Sequence, residues 1–130
     1  MQIKIKTTYI ETGHTYTSRK VMQTETVLPP RQVFILKIDY PLHKPARFVF
    51  NSGVDGMTRG DLVRKIRKCY KQVYREEDAS TKVKPGNIPG MLNRNPTNGK
   101  YGIWGHDIGD LVLCSVNVSD KNVITLGVDS

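Results

Sequence analysis

The chain has 130 residues, of which 38% are hydrophobic and 25% charged, so a packed globular domain fits and a fully disordered chain is excluded. Lysine and arginine number 20 against 12 acidic residues, for a formal net charge of +8. No apolar run approaches the roughly 20 residues of a membrane-spanning helix, and the opening residues lack the apolar stretch of a signal peptide. We therefore expect a single basic, soluble, intracellular domain over residues 1–130.

The N-terminal part, residues 2–50, has the patterns of β-strands. Apolar and polar residues alternate over residues 2–9, which is the period of a half-buried strand, and Gly13 suits the reversal that follows. Residues 15–27 are rich in threonine and fit a returning strand. Residues 33–38 form a nearly continuous apolar run, which predicts a strand covered on both faces, and residues 47–50 predict a further short strand.

One long amphipathic helix is predicted over residues 58–76. Thr58, followed three residues later by Asp61, has the spacing of a helix-capping pair. At about 100° per residue the apolar side chains fall on one stripe. The opposite side carries five cations: Arg64, Arg67, Lys68, Lys71 and Arg75. The three acids at residues 76–78 oppose the helix dipole and favour an end there.

The stretch that follows, residues 79–100, contains three prolines and three glycines, so we expect a long arm without regular structure. Its charged side chains are all basic: Lys82, Lys84, Arg94 and Lys100. The apolar residues Ile88, Met91 and Leu92 indicate that part of the arm packs against the body of the protein.

The C-terminal part, residues 110–128, returns to β-structure. Residues 112–118 alternate, residues 119–122 are a turn cluster, and residues 123–128 fit a partner strand, so a terminal hairpin is predicted. Taken together, the elements predict an α+β fold. In that fold a mainly antiparallel sheet, built from N-terminal and C-terminal strands, packs against the long helix.

The segment between arm and hairpin, residues 101–111, holds the only tryptophan. Three of its side chains are candidate metal ligands or acid–base groups: His106, Asp107 and Asp110. Such a site needs more ligands than the segment offers, so a structural interpretation is favoured. In it, Gly102 and Gly105 turn the backbone around Trp104, whose ring fills a gap between helix and sheet. The two aspartates then cap a short helical turn before the strand.

The two cysteines, Cys69 and Cys114, lack the spacing of a zinc or redox motif, and both are predicted to be core residues. No phosphate-binding glycine loop, nucleophile elbow or paired-histidine motif occurs in the sequence. The sequence therefore predicts no cofactor, no metal ion, no catalytic residue and no small-molecule substrate.

Two blocks of the sequence carry a resemblance to a known family. The first reads TRGDLVRKI at residues 58–66 and continues to Tyr70 and Tyr74. The second, in which the resemblance is stronger, reads YGIWGHDIGDLVL at residues 101–113. Both blocks resemble an uncharacterised family of large double-stranded DNA viruses of amoebae, the Marseillevirus-like group. The resemblance covers about residues 46–116 and carries no catalytic residue. It implies a viral setting: expression in host cytoplasm, packaging in the virion, and contact with host nuclear components.

These observations predict a non-enzymatic basic interaction module that binds an acidic partner, either nucleic acid or a host or viral protein. The predicted partner-binding residues are Arg64, Arg67, Lys68, Lys71, Arg75, Lys82, Lys84 and Arg94. The long arm and the edges of a small sheet add a homodimer to the expectations. The alternative is a structural or virion-associated protein without dedicated recognition. A third reading is a small metal-dependent enzyme at His106 and Asp110.

Overall fold

A computed structural model describes residues 1–15, 20–91 and 93–130. Within these residues most of the regular structure is β-strand, with one long α-helix between the sixth and seventh strands. The elements are, in order, β1 (Gln2–Ile3), β2 (Thr8–Tyr9), β3 (Thr26–Leu28), β4 (Val33–Ile38), β5 (Ala46–Asn51), β6 (Met57–Thr58), α1 (Arg59–Ser80), a 3₁₀ turn (Ile108–Asp110), β7 (Val112–Val118) and β8 (Val123–Asp129).

Six of the strands form one sheet in the order β1-β7-β8-β4-β5, and β2 also pairs with β7. All neighbours are antiparallel except β4 and β8, which are parallel. The C-terminal hairpin is therefore inserted between the first N-terminal strand and β4. A second, two-stranded sheet joins β3 to β6. The protein is thus an α+β fold whose mostly antiparallel sheet combines N-terminal and C-terminal strands, as predicted.

The N-terminal strand prediction holds only in part. The buried residues are Ile3 and Ile5 and then Thr8 and Ile10, so the side-chain alternation changes parity between residues 5 and 8. One continuous strand cannot keep both sets on the core side, and two short strands form instead.

The predicted strand over residues 15–27 is also shorter, because only Thr26–Leu28 is a strand and residues 16–19 lie outside the described residues. Helix α1 holds the preceding segment: Arg59 donates to the carbonyl of Met22, and the Gly60 amide donates to that of Gln23 at 2.9 Å. These carbonyls bind the start of the helix rather than a neighbouring strand.

Strand β4 has the predicted bounds, but only one of its faces is fully buried, while Ile35 and Lys37 on the other face are partly exposed. Phe34, Leu36 and Ile38 are fully buried, whereas Val33 on the other face is 55% exposed. The prediction that both faces of this strand would be buried, made from its nearly continuous apolar run, was therefore wrong. Its buried side contacts the same core as α1, to which Leu62 and Ile66 belong.

The helix begins as predicted and ends later than predicted. Thr58 is its N-cap, and the Thr58 hydroxyl accepts a hydrogen bond from the Asp61 amide at 3.1 Å. The helix continues to Ser80, where the Thr81 amide still donates to the Glu77 carbonyl at 2.9 Å. The acids at residues 76–78 do not end the helix, because the arm binds them.

The two cysteines differ in burial. Cys69 is buried in the core beneath α1, as predicted, but Cys114 is exposed. The pairing of β7 with β8 shifts register between Leu113 and Ser115. This irregularity places Cys114 on the solvent side, where simple alternation along the strand had predicted a core position.

The segment at residues 101–111 forms the predicted turn, with a different tryptophan position. Gly102 and Gly105 have positive φ angles of 73° and 77°, and Asp107 caps the 3₁₀ turn in a capping box. Trp104, however, is 40% exposed, while its neighbour Ile103 is fully buried. Because successive side chains of an extended segment point to opposite sides, burial of Ile103 leaves the indole ring outside, at 5.5 Å from the ring of Tyr40.

Candidate functional site

The exposed side of α1 carries a row of cations that we call the basic stripe: Arg64, Lys68, Lys71 and Arg75. Their spacing of four, three and four residues keeps them within a sector of about 60° on the helix. The row extends over eleven residues, about 16 Å along the helix axis. The opposite side of the helix carries the buried residues Ile66, Tyr70 and Val73.

Within the described residues, three of the four stripe cations form no ion pair. Arg64 pairs with Asp61 one turn earlier, and this hydrogen bond lowers the pKa of the Asp61 carboxyl. Lys68, Lys71 and Arg75 form no ion pair with any carboxylate in the described part of the chain. They present positive charge to the solvent without internal compensation, which is what an acidic partner would meet.

Arg67, one of the predicted binding residues, has an internal role as well. Its Nε donates to the Ile10 carbonyl at 2.9 Å, and its Nη2 donates to the Glu11 carbonyl at 3.1 Å. The guanidinium group also packs against Gly13. Arg67 therefore attaches the N-terminal reversal to α1, while its side chain stays partly exposed.

The arm cations divide into two groups. Lys82 and Lys84 are exposed and form no ion pair within the described residues. Arg94 is only 5% exposed, and it donates to Asp78 at 2.7 Å and to Asp107 at 3.4 Å. Its guanidinium lies over the ring of Tyr74, 5.3 Å from the centroid. This buried position does not fit the predicted contact of Arg94 with an outside partner, because its charge is already used inside the protein.

The arm is fastened to the helix by a buried carboxylate that the sequence did not single out. Glu77 is fully buried. It accepts hydrogen bonds from the Thr97 hydroxyl at 2.7 Å and from the amides of Gly99, Tyr101 and Gly102 at 2.8 to 3.1 Å. Burial raises the pKa of Glu77, but these hydrogen bonds outweigh burial and the pKa is lowered. The carboxylate therefore stays ionised inside the protein.

The flanking acids are engaged too. Glu76 accepts hydrogen bonds from the Lys100 ammonium at 2.9 Å and from the Tyr101 hydroxyl at 3.1 Å, and the Lys100 bond lowers its pKa. Asp78 binds Arg94. All three acids at the end of α1 thus bind the arm. The sequence signal for this was a three-acid cluster followed by an acid-free stretch with four cations.

The predicted arm packs through polar residues more than apolar ones. Ile88 is partly buried, Met91 is exposed, and Leu92 lies outside the described residues. Among the described arm residues, Arg94 and Thr97 are the buried positions instead. The arm is therefore held mainly by its contacts with the acidic residues at the end of α1, and Lys82 and Lys84 are its exposed cations.

A second group of polar side chains surrounds His106. Its Nδ1 lies 3.8 Å from Asp110 Oδ2, and its Nε2 lies 3.1 Å from the Ser130 hydroxyl, which also bonds to the Tyr40 hydroxyl. His106, Asp110 and Ser130 border a cavity of about 420 Å³. The order Asp110–His106–Ser130 has the residue types of a hydrolytic triad, and Ser130 had not been singled out from the sequence.

The geometry of the His106 group favours a structural role. A separation of 3.8 Å is too long for the hydrogen bond that orients a catalytic histidine. The same Asp110 oxygen accepts from the Asp107 amide at 3.3 Å as part of the capping box. Across residues 1–15, 20–91 and 93–130, no three His, Cys, Asp or Glu side chains are grouped so that they could hold a metal ion. The group ties the C-terminal end of β8 to the 3₁₀ turn.

The chain matches no family model, no curated protein and no solved structure. The similarity to amoeba-virus proteins therefore stays a prediction from the two sequence blocks. Within the described residues no helix is long and apolar enough to cross a membrane. The homodimer also stays a prediction. Strand β5 lies at an edge of the sheet and exposes Val49, so it is a strand with which a second copy could pair.

Proposed function

We propose that the protein is a non-enzymatic interaction module whose basic stripe binds an acidic partner, and that this partner is the phosphate backbone of a nucleic acid. The single observation that carries the proposal is the imbalance on α1. All four acids of the helix are bonded to protein groups, whereas three stripe cations form no ion pair with any of the described residues. A row of exposed point charges suits contact with phosphates rather than reading of base edges.

The spacing of the stripe supports a backbone contact. Three or four residues along a helix separate the cations by about 4.5 to 6 Å, which lets several phosphates be neutralised at once. Exposed Lys82 and Lys84 at the start of the arm extend the positive charge beyond the helix end. The viral setting of such a contact, in host cytoplasm, nucleus or virion, rests on the sequence resemblance alone.

The test is the salt dependence of binding to a labelled duplex. If Lys68, Lys71 and Arg75 each neutralise one phosphate, log affinity falls with log salt with a slope of about −3. Fluorescence anisotropy between about 50 and 200 mM salt measures this slope. The variant Lys68→Glu/Lys71→Glu is expected to weaken binding by on the order of tenfold or more and to make the slope shallower by about 2.

The matched control is Lys44→Glu/Lys121→Glu, which changes net charge equally at two exposed loop lysines. Its affinity should stay within roughly threefold of the unchanged protein. An equal loss in both variants would mean that net charge alone drives binding, as in a structural or virion-associated protein without dedicated recognition. Undetectable duplex binding, or binding indifferent to salt, overturns the proposal, and equally tight binding of poly-glutamate would assign the stripe to an acidic protein.

A further inference from the structure

A cavity lies beside the basic stripe, between the N-terminal strands and the first turns of α1. Its volume is about 260 Å³. Three cations line it, Lys6 from the N-terminal segment and Arg64 and Arg67 from the helix, together with polar side chains that include Thr15 and Gln23. The lining therefore combines charge with hydrogen-bonding groups, and it draws on two parts of the chain that are far apart in sequence.

No carboxylate belongs to the lining formed by the described residues. Arg64 has its one ion pair with Asp61, and neither Lys6 nor Arg67 pairs with an acid in the described part of the chain. Folding thus brings two cations without an acidic partner among the described residues, Lys6 and Arg67, and the Asp61-paired Arg64 around one concave space, where like charges repel one another. An anion in the cavity would relieve this repulsion.

The guanidinium of Arg67 is held in place before any ligand arrives. Two backbone carbonyls accept from its Nε and Nη2. Its Nη1 lies so close to Gly13 that a Cβ on this residue would be only 2.6 Å away. A planar donor fixed by such contacts loses little freedom on binding, which favours recognition of a phosphate over that of a diffuse negative charge.

We propose that this cavity binds a phosphate group, either free or as a terminal monoester. At about 30 Å³ per water, its volume corresponds to roughly nine waters, enough for a phosphate with part of a sugar. Two sources share this chemistry: the end of a nucleic acid, or a free phosphate or nucleotide. The inference rests on the proposed function only where a nucleic acid supplies the phosphate, because a free phosphate would bind without the stripe.

The experiment is a titration of the full chain with phosphate ligands at constant ionic strength, in which isothermal calorimetry measures the binding. The ligands are inorganic phosphate, adenosine monophosphate, and a short single-stranded oligonucleotide with or without its 5′-phosphate. Saturable binding of inorganic phosphate or the monophosphate is expected. Lys6→Gln should weaken it by on the order of tenfold, because one of the three cations is removed.

Two matched variants isolate the cavity. Lys4→Gln removes an exposed lysine outside the cavity lining and should leave phosphate affinity within roughly twofold. Lys6→Arg keeps the charge and should retain most of the affinity. Arg64→Gln is a second loss variant on an exposed side chain, so a failure of one variant to fold does not decide the matter.

The outcomes separate this inference from the proposed function. Phosphate binding that is weakened on the order of tenfold in Lys6→Gln and unchanged in Lys68→Glu/Lys71→Glu supports the cavity, whether or not a duplex binds to the stripe. A preference for the 5′-phosphorylated oligonucleotide over the free ligands identifies a nucleic-acid end as the source, and the reverse order identifies a free phosphate or nucleotide. Equal losses in Lys4→Gln and Lys6→Gln, or no saturable binding of any of the phosphate ligands, overturn the inference even if the duplex binds.

Discussion

The two ends of α1 use charged side chains in opposite ways. At the C-terminal end, Glu76, Glu77 and Asp78 are each bonded to the arm, and the arm residue Arg94 is buried between two carboxylates. Along the middle of the helix, by contrast, the stripe cations from Lys68 to Arg75 have no acidic neighbour in the described residues. The same residue types thus build the fold in one region and stay available for a partner in the other.

This difference shows that the location of the opposite charge, and not the density of charge in the sequence, decides what a cation does. A buried charge is tolerated only when partners replace the water it has lost. An exposed charge without a partner adds little to stability but contributes fully to the field that a ligand meets. Substitutions at the C-terminal end should therefore change stability, and those on the stripe should change binding.

The largest effect is expected at Glu77. Glu77→Gln keeps the shape of the side chain but removes its charge and replaces one acceptor oxygen with a donor, which in its more favourable orientation faces the Thr97 hydroxyl and the Gly99 amide. The hydrogen bond from the Gly99 amide is then lost, and the amides of Tyr101 and Gly102 donate to a neutral oxygen instead of a charged one. Together these losses should lower the free energy of unfolding by about 4 kcal/mol. Urea unfolding measures this loss. Glu76→Gln is the control, because its partly exposed pair with Lys100 contributes at most about 1 kcal/mol.

The pH dependence gives a second measure of the same group. The folded-state pKa of Glu77 is lowered from its ordinary value of 4.5. The ionised carboxylate therefore stabilises the fold fully above pH 4.5, and this stabilisation is lost as the pH falls through the folded-state pKa. The stability difference between the unchanged protein and Glu77→Gln should therefore narrow below about pH 4.5. A difference that stays constant down to the acid transition would show that Glu77 is not the ionised anchor of the arm.

Local signals in the sequence were sufficient for several elements. The bounds of β4, the terminal hairpin, the Thr58 cap and the cap at Asp107 each depend on residues within a few positions of one another, and all four were predicted. The angular spacing of cations along α1 likewise placed the stripe opposite the buried face. These features need no knowledge of distant contacts.

Other features depend on residues that meet only in the folded chain. The helix end was predicted too early because Glu76 is bound by Lys100, 24 residues away in sequence. Arg94 was placed among surface cations because its distance from Asp78 and Asp107 in the fold was unknown. The cavity beside the stripe was missed for the same reason. Lys6 lies in the N-terminal segment and Arg67 in α1, and the sequence did not show that the two meet in the fold.

The ion pairs of Arg94 with Asp78 and Asp107 can be broken from either side, and the two ways of breaking them should differ in their effect on stability. Asp78→Asn/Asp107→Asn leaves the buried guanidinium without a carboxylate, and should destabilise the protein by about 3 kcal/mol. Arg94→Met removes the charge and fills the space, while Asp78 and Asp107, whose side chains are 47% and 65% exposed, regain water. It should cost only about 1.5 kcal/mol. Thermal unfolding of both variants tests the order, and a larger loss for Arg94→Met would show that packing, and not charge, holds the arm.

The smallest expected effect concerns the cavity side of the helix. Gly13 and Gly90 have similar positive φ angles of 79° and 75°, but a Cβ at Gly13 meets Arg67 whereas one at Gly90 meets nothing within 4 Å. Gly90→Ala should therefore lose about 1 kcal/mol from backbone strain alone. Gly13→Ala should lose about 2 kcal/mol, since Arg67 must also give up hydrogen bonds to two carbonyls.

A double-mutant cycle between Gly13→Ala and Arg67→Met decides whether that extra loss comes from the guanidinium. In the Arg67→Met background the two alanine variants should lose equal stability, because the side chain that clashes has been removed. If Gly13→Ala and Gly90→Ala also lose equal stability in the protein that keeps Arg67, then the Arg67 side chain moves aside at no cost in stability. Its guanidinium is then not the fixed donor that the phosphate cavity requires. Among the described residues, the stripe would then be the one cationic feature on this side of α1 whose geometry suits an anionic ligand.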